Sequence, residues 1–511
     1  MPKLAPMKIG SFDLHFVLLC LFMGTMNFNT IAQKHARIYQ DAEEALDREE
    51  YAKALTEYQE VAAIEPKYEA TEYKIELCVL MADAELPIDK YLELEESYTS
   101  DENYYYWLGK IYMSRYLFED ASLSLKQFHQ KLEFNGNTEN EDAQKLIAET
   151  THLMSFFDDA DNYEIHQLDG PINSESDELS PVYFEEKKEL LFASSRGSIY
   201  PIVYKIYYAK KDENGWGSLT EVRNIGTFDE TTANIEVVNN DGKLFLFREE
   251  KGGDLYYSQP DGDSWTDPIE FDSRISNNHL HSHFYINEHE DRIIFSSDEK
   301  GAGLDLYESY IDPAKGQWTR PENFSQDINT SYNEDSPYLS PNESTLYFVS
   351  DRPGGVGGKD VYSSTLDMTT FKWSTPKNMG WPINSPNDEF HFKMNEDQTS
   401  GYYVSDRLHS KGKKDIYFFW EVEKVNITGR LIDKDGQPLT DAQIRFHPSQ
   451  YTDEYFHATT DNRGLYTTKI ISDEIFNVEI LQSGRIIYRD KFEVHDSKGE
   501  ALTHHKDFKI Q

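Results

Sequence analysis

One short stretch of the sequence places histidines at alternate positions. In "HLHSHF" (279–284), His279, His281 and His283 would lie on the same face of an extended strand. Neutral imidazole binds divalent metals, so such a row could supply metal ligands. The alternative is a polar strand satisfied by hydrogen bonds and water. We favour that alternative, because alternation in one strand lacks the spacing of established metal-ligand sets.

A second stretch, "RPGGVGGK" (352–359), could be mistaken for a phosphate-binding loop. A P-loop requires G-x-x-x-x-G-K-[ST] between a strand and a helix. Here Pro353 stands at the first glycine position and Asp360 follows Lys359. The stretch therefore predicts a hairpin turn. Serine-hydrolase, zinc-protease and dinucleotide-binding motifs are also missing from the sequence, so we expect no enzyme and no cofactor.

Residues 162–422 contain five similar units of about 50 residues. Each has an apolar run such as "LYFVSDR" (346–352), then a Gly- or Lys-bearing turn and a short strand. The tyrosines of those short strands recur at intervals of 49 to 55 residues: Tyr207, Tyr256, Tyr307, Tyr362 and Tyr417. The pattern predicts a five-bladed β-propeller, and the units resemble TolB-type, WD-repeat-like blades. "DGPINS" (169–174) echoes "GWPINS" (380–385), so residues 162–168 should supply the outer strand of the last blade.

Aligning the units places polar residues at the start of each innermost strand, around one mouth of the channel. Glu178, His281, Glu334 and Glu389 share one position, and His283 and His391 share the position two residues later. These six residues form the predicted ligand-binding site. Histidines with carboxylates could hold Zn²⁺ or another divalent ion, but the sequence does not identify a metal.

The propeller region is flanked by two segments of different composition. Residues 33–158 show helical periodicity, and Ala54, Gly109 and Ala121 stand where tetratricopeptide repeats have small residues. The segment resembles such an array, with two clear repeats and a weak one. In residues 424–511, "DKDGQPL" and "DNRG" turns separate alternating strands. That segment resembles the carboxypeptidase-regulatory-like domain, a small immunoglobulin-like β-sandwich. The expected fold class is thus multidomain, with a helical array, a five-bladed propeller and a sandwich.

The N-terminus and the charge restrict where the protein could act. Lys3 and Lys8 precede the apolar run "FVLLCLFMGTM" (16–26), which predicts a signal peptide over residues 1–32. Cys20 leaves a lipoprotein anchor as the weaker alternative, and no other stretch could cross a membrane. The net charge of −42 disfavours nucleic acid as a partner. We expect a periplasmic protein with a cleaved signal, associated with the outer membrane if its partner is there.

The order of these segments resembles Bacteroidetes-type envelope proteins, particularly the peptidoglycan-associated component of the type IX secretion and gliding machinery. The resemblance implies a periplasmic scaffold that binds protein partners, among them an outer-membrane barrel. No OmpA-like segment is found before Gln511, so the resemblance does not extend to direct peptidoglycan binding, and a paralogue serving another envelope complex fits equally well. Our leading hypothesis is a non-enzymatic scaffold or adaptor in an envelope complex. The alternative is a periplasmic sensor that binds a glycan, a muropeptide or a metal ion at the channel.

Overall fold

The structure is a computed structural model in which the chain divides into two compact units, with the boundary between residues 151 and 152. The described residues run from 36 to 510, with shorter gaps of at most three residues and longer gaps at 66–70, 99–102, 135–140, 159–162, 226–234, 249–253, 276–282, 299–302, 450–455 and 495–502. The predicted signal peptide, His279 and His281 lie outside them. Within the described residues, no helix has the length and apolarity needed to cross a bilayer.

Helices form the first part of the described chain. Residues 36–47 are helical, and seven further described helices follow: α1 (Tyr51–Ile64), α2 (Thr71–Ala82), α3 (Asp89–Glu93), α4 (Glu95–Tyr98), α5 (Asn103–Met113), α6 (Phe118–Phe134) and α7 (Glu141–Asp158). Tyrosine rings fill their core. Tyr91 and Tyr104 stack with ring centroids 4.8 Å apart, and the ring of Tyr73 meets both rings edge-on.

Small residues let two of these helices pack closely. A Cβ atom on Gly109 of α5 would lie 2.7 Å from Cγ of Leu125 in α6, so a larger residue would force the helices apart. Ala54 and Ala121 are fully buried. The small residues noted in the sequence therefore lie in the helical core.

The predicted fold class, headed by a tetratricopeptide-like array, is nevertheless wrong. The described residues are mostly in β-sheets, and no such array is shown among the described helices. A tetratricopeptide repeat needs two full helices in 34 residues, but α3 and α4 have only five and four residues. Buried alanine and glycine occur wherever helices pack closely. They therefore do not distinguish a tetratricopeptide repeat from other helical packings.

Five antiparallel sheets follow in the second unit. Sheet 1 contains β2 (Glu178–Phe184), β3 (Glu189–Ser194), β4 (Lys205–Asp212), β5 (Gly215–Trp216) and β6 (Thr220–Glu221). Sheet 2 contains β7 (Ile235–Val238), β8 (Lys243–Arg248), β9 (Asp254–Ser258) and β12 (Ile269–Glu270), and the separate pair β10 (Pro260–Asp261) and β11 (Ser264–Trp265) lies between β9 and β12 in the chain. Sheet 3 contains β13 (Phe284–Ile286), β14 (Arg292–Ser297), β15 (Asp305–Asp312), β16 (Gln317–Trp318) and β17 (Glu322–Asn323). Sheet 4 contains β18 (Glu334–Leu339), β19 (Thr345–Ser350), β20 (Asp360–Asp367), β21 (Lys372–Trp373) and β22 (Lys377–Asn378). Sheet 5 contains β23 (Glu389–Met394), β24 (Ser400–Ser405), β25 (Asp415–Glu421) and β1 (Tyr163–Gln167).

The first strands of the five sheets form a closed ring. Strand β2 contacts β7, β7 contacts β13, β13 contacts β18, β18 contacts β23, and β23 contacts β2. Apolar clusters fill the spaces between neighbouring sheets. This is the sheet arrangement of a β-propeller. Strand β1 pairs antiparallel with β25, with Ile165 opposite Phe419, as the sequence echo predicted, and so the N-terminal strand completes the last sheet.

Three of the inner strands carry the same irregularity. Their pairing register shifts just after the second residue, in β2, β18 and β23. The third residues, Ser180, Ser336 and His391, have φ angles of +51°, +47° and +51°. This left-handed conformation is costly for residues other than glycine, and bulges often re-aim side chains near functional sites. The three side chains are all buried.

The last part of the chain forms two four-stranded sheets around one apolar core. The first contains β26 (Lys424–Ile432), β29 (Leu465–Ile471), β32 (Thr503–His505) and β33 (Phe508–Lys509); the second contains β27 (Gln443–Pro448), β28 (Phe456–Thr459), β30 (Ile475–Gln482) and β31 (Arg485–Glu493). Phe446 of the second sheet lies near Tyr466 and Phe508 of the first, with ring centroids 6.3 Å away in each case.

Candidate ligand site at the propeller axis

The three glutamates predicted to line the channel mouth are held inside the fold. Glu178, Glu334 and Glu389 each have 0% exposure. Both carboxylate oxygens of Glu389 accept hydrogen bonds from Ser385, its backbone N–H at 3.0 Å and its hydroxyl at 2.6 Å. The Ser405 hydroxyl donates at 2.8 Å and the Arg407 guanidinium at 3.3 Å. Sheets 1 and 4 repeat this arrangement with other residues: Ser174, Ser194 and Arg196 around Glu178, and Thr330, Ser350 and Arg352 around Glu334.

Sequence reasoning missed this Glu–Ser–Arg set, although its spacing is regular. In all three sheets the serine follows the glutamate by 16 residues and the arginine follows it by 18. Burial raises the pKa of all three carboxyl groups, and the hydrogen bonds and the arginine charges oppose that rise. Because both carboxylate oxygens of each glutamate already accept hydrogen bonds from neighbouring residues, we leave the three glutamates out of the site that we propose.

The structure does bring the two remaining histidines together. The rings of His283 and His391 have centroids 4.7 Å apart. Nδ1 of His283 donates a hydrogen bond to Oδ1 of Asp335 at 2.7 Å. The Ser180 hydroxyl lies 3.4 Å from Nδ1 of His391. We call these four residues the axial histidine cluster. His281, the sixth predicted site residue, lies outside the described residues.

Burial and neighbouring charges set the protonation of this cluster. Burial would raise the pKa of Asp335, but the charge and hydrogen bond of His283 outweigh it and hold that pKa well below its usual range. Burial lowers the pKa of His391, and the positive charges of His283 and Lys393 lower it further. The cluster therefore combines an ionised aspartate with a neutral His391. The contact with the ionised Asp335 makes Nδ1 of His283 a hydrogen-bond donor.

Among the described residues, no group of three or more His, Cys, Asp or Glu side chains is arranged to hold a metal ion. The axial histidine cluster offers two imidazoles and a carboxylate already bonded to one of them.

Beyond the bulges, the same inner strands line a cavity of about 280 Å³, which we call the tyrosine pocket. Its walls include Tyr183, Tyr285, Tyr338 and Tyr402. The rings of Tyr183 and Tyr402 lie 5.2 Å apart, and those of Tyr285 and Tyr338 meet nearly at right angles at 5.5 Å. A concave site with aromatic walls and a few polar groups is a typical small-molecule site.

Charged residues complete the pocket. Glu185, Glu288 and Glu396 line it, each following the inner strand of a different sheet, and Lys393 lines it from within β23. The three glutamates are exposed. The sequence analysis did not predict this pocket, because it considered only the polar residues at the start of the inner strands and not the tyrosines near their ends. The recurring tyrosines after the polar positions, as in "SPVYFEE" (180–186) and "SPYLSP" (336–341), were the available signal.

Comparison with known proteins gives no family for the chain. No protein-family model and no curated protein match it. Similar solved structures include a putative TolB from Agrobacterium tumefaciens, with 12% identity over 60% of this chain and 97% of the other and a TM-score of 0.31. An endo-arabinase from Bacteroides thetaiotaomicron shows 10% identity over 50% and 96%, with a TM-score of 0.33. The catalytic domain of a GH62 α-L-arabinofuranosidase from Coprinopsis cinerea shows 13% identity over 51% and 97%, with a TM-score of 0.34.

These similarities correct one prediction and leave others open. The expectation that the chain is not an enzyme is wrong as drawn, since its structural neighbours include an endo-arabinase and an α-L-arabinofuranosidase. TM-scores this low carry no argument for a particular activity. The TolB-like neighbour agrees with the TolB-like part of the resemblance. The carboxypeptidase-regulatory-like segment and the link to type IX secretion remain predictions.

Proposed function

We propose that this chain is a ligand-binding protein of the cell envelope that holds a small polar ligand in the tyrosine pocket at the propeller axis. The observation that carries the proposal is the cavity of about 280 Å³, whose walls come from the inner strands of four different sheets. Four tyrosine rings provide flat apolar surfaces, and carboxylates at the end of the strands provide polar contacts. Glycans and muropeptides combine both kinds of surface.

The site differs in position from the one the sequence indicated. The buried glutamates at the start of the inner strands bond within their sheets, whereas the tyrosines at the other end surround an empty volume. The axial histidine cluster lies between these two levels on the same strands. Its bulged backbone conformations are the kind of strain that accumulates at functional sites. A place in the envelope follows from the predicted signal peptide, so export is part of the proposal.

The test fills the pocket without disturbing the core. Glu288→Trp places a large side chain at an exposed position that lines the pocket. His289→Trp, at the adjacent exposed position, is the matched control. A panel of muropeptides from digested peptidoglycan and of neutral oligosaccharides is screened by thermal shift. We expect at least one ligand to raise the melting temperature of the wild type and the control but not of Glu288→Trp. A panel without effect, or equal shifts in all three proteins, would reject the proposal.

A scaffold function is the second candidate, and one observation favours it. Strand β31 is the last strand of its sheet, and among the described residues it pairs only with β30. Ile486 and Ile487 on it are 41% and 38% exposed. An exposed nine-residue edge strand can accept a strand from a partner. Crosslinking in intact cells should then recover an outer-membrane barrel or another envelope protein with the wild type and lose it with Ile487→Lys. Equal recovery with both proteins would remove β31 as the docking strand.

A further inference from the structure

The rim of the tyrosine pocket concentrates negative charge from two sheets. Glu185 follows β2 of sheet 1 and Glu396 follows β23 of sheet 5, and both line the pocket. Asp397 is adjacent in the chain to Glu396. Burial raises the pKa of Glu185, and the negative charges of Glu396 and Asp397 raise it further. The charges of Glu396 and Asp397 thus lie close enough to Glu185 to repel its carboxylate, which costs free energy in the unliganded protein.

Within the described part of the chain, no basic side chain forms an ion pair with Glu185 or Glu396. The nearby Lys187 instead lies over the ring of Phe184, with Nζ 5.3 Å from its centroid. Asp397 accepts hydrogen bonds from Ser400 and the backbone of Thr399, which hold its turn. A cation arriving from solution would relieve the repulsion between the carboxylates.

The aromatic walls lie directly beside this charge. Tyr183 is two residues before Glu185, and its ring is 5.2 Å from that of Tyr402. The faces of tyrosine rings attract ammonium groups as well as sugar and peptide surfaces. Carboxylates and tyrosine rings therefore act on the same kind of group, a cation carried by a polar body.

Lys393 limits how much positive charge the ligand can carry. It lines the pocket from within β23, two residues after His391, so its backbone lies between the axial histidine cluster and the Glu396 end of the pocket. A ligand with several positive charges would meet repulsion from Lys393. A ligand with one ammonium at the rim would not.

We propose that the tyrosine pocket recognises a protonated primary amine on a sugar or peptide body, with the ammonium between Glu185 and Glu396 and the body against Tyr183 and Tyr402. This inference rests on the proposed function, because it names the ligand group that the same pocket selects. Neutral and N-acetylated forms of the same molecule should bind less well, since they offer no charge to the rim.

Two matched pairs of probes test the inference. The first is methyl β-D-glucosaminide with its N-acetyl form, and the second is trialanine with its N-acetylated form. Dissociation constants are measured by calorimetry at low and high NaCl. We expect the free amine of at least one pair to bind the wild type roughly five to ten times more tightly than its acetylated partner. Salt should reduce that preference.

Variants identify the residues responsible. Glu185→Gln with Glu396→Gln keeps the shape of two exposed side chains and removes their charge. Glu270→Gln with Glu322→Gln makes the same change at exposed positions on outer strands. We expect the first pair of changes to abolish the preference for the amine and the second to leave it intact. Circular dichroism and melting curves confirm that both proteins fold.

The outcomes separate the inference from the proposed function. Equal binding of free and acetylated probes, or a preference that survives Glu185→Gln with Glu396→Gln, overturns the inference. If ligands of the thermal-shift panel still bind in a manner sensitive to Glu288→Trp, the proposed function stands. If no free amine outbinds its acetylated form and the panel is also without effect, both fall.

Discussion

Phe371 occupies the turn between β20 and β21 in a conformation that favours glycine. Its φ angle is +54°, and its side chain is 74% exposed. The same turn in sheet 3 has Gly316 with a φ of +60°, and both residues donate a backbone hydrogen bond to the aspartate four positions earlier. We expect Phe371→Asn to raise the free energy of unfolding by about 1 kcal/mol, because asparagine tolerates this conformation. Urea denaturation measures the change.

The control for that substitution is Phe371→Ala, which removes the exposed ring but keeps the strained backbone. It should leave the free energy of unfolding nearly unchanged. An equal gain from alanine would mean that the exposed ring, and not the backbone angle, is the costly feature of this turn.

His391 should make the stability depend on pH. Burial lowers its pKa, and the positive charges of His283 and Lys393 lower it further, while Asp335 opposes them. An unfolded histidine takes up a proton below about pH 6.5, whereas folded His391 stays neutral. The free energy of unfolding should therefore fall as the pH drops below about 6.5, by up to about 1.4 kcal/mol per pH unit. The depressed pKa of Asp335 lowers the free energy of unfolding further only at still lower pH, where an unfolded aspartate takes up a proton.

Replacing His391 should flatten this dependence. His391→Asn suits the positive φ and cannot take up a proton, so its unfolding free energy should change less between pH 7 and pH 5 than that of the wild type. Exposed His289→Asn is the control and should keep the wild-type slope. Urea denaturation at pH 5, 6, 7 and 8 measures all three. Parallel curves for His391→Asn and the wild type would contradict the assignment.

The sequence allowed some of these residues to be placed but not their contacts. Repeat alignment put Ser180, Ser336 and His391 in one column, and the structure gives all three the same bulge. Alignment could not show that His283 bonds Asp335 of the next sheet, because that contact depends on how the sheets pack. It also could not show that the aligned glutamates are buried, since a sequence alone does not distinguish a glutamate exposed at a channel mouth from a buried one.

At the scale of elements, β1 is the strand that completes sheet 5. It lies far from the rest of that sheet in the sequence and pairs with β25 from Tyr163↔Glu421 to Gln167↔Tyr417. Because β1 is the only chain segment that pairs the outer edge of β25 among the described residues, weakening it should open the ring. We expect Ile165→Pro to lower the free energy of unfolding by about 2–3 kcal/mol through lost pairing and packing.

A proline in another outer strand provides the comparison. Thr220 lies in β6, a two-residue outer strand of sheet 1 that does not join distant parts of the chain. Thr220→Pro should shift the melting temperature much less than Ile165→Pro. Similar shifts would indicate that β1 is an ordinary outer strand and contributes nothing special by closing the ring.

Elements also show why the propeller region could be anticipated and the helical region could not. Five units with regularly spaced tyrosines repeat a whole pattern of turns, strands and aromatic positions, which few folds share. The helical region offered only apolar periodicity and three small residues. Such features are common to most packed helices, so they indicated helices correctly but gave a wrong repeat.

For the whole molecule, the division into two compact units predicts separable folding. Tyr58, Tyr73 and Tyr104 belong to an apolar core formed within the first unit, and the sheets of the second unit have cores of their own. A unit with its own core is able to fold alone. We expect residues 152–511, produced without the preceding residues, to fold cooperatively and to bind the same ligands as the full chain, because the tyrosine pocket is built entirely from that unit.

Melting curves and the thermal-shift panel check this expectation on the fragment and the full chain together. Equal ligand-induced shifts would assign recognition to the propeller region and leave the helices for another role, such as holding a protein partner. A folded fragment that no longer binds would show that the helical unit contributes to recognition. An aggregated fragment would show instead that residues 152–511 depend on the first unit for folding, which would contradict the division into independent units.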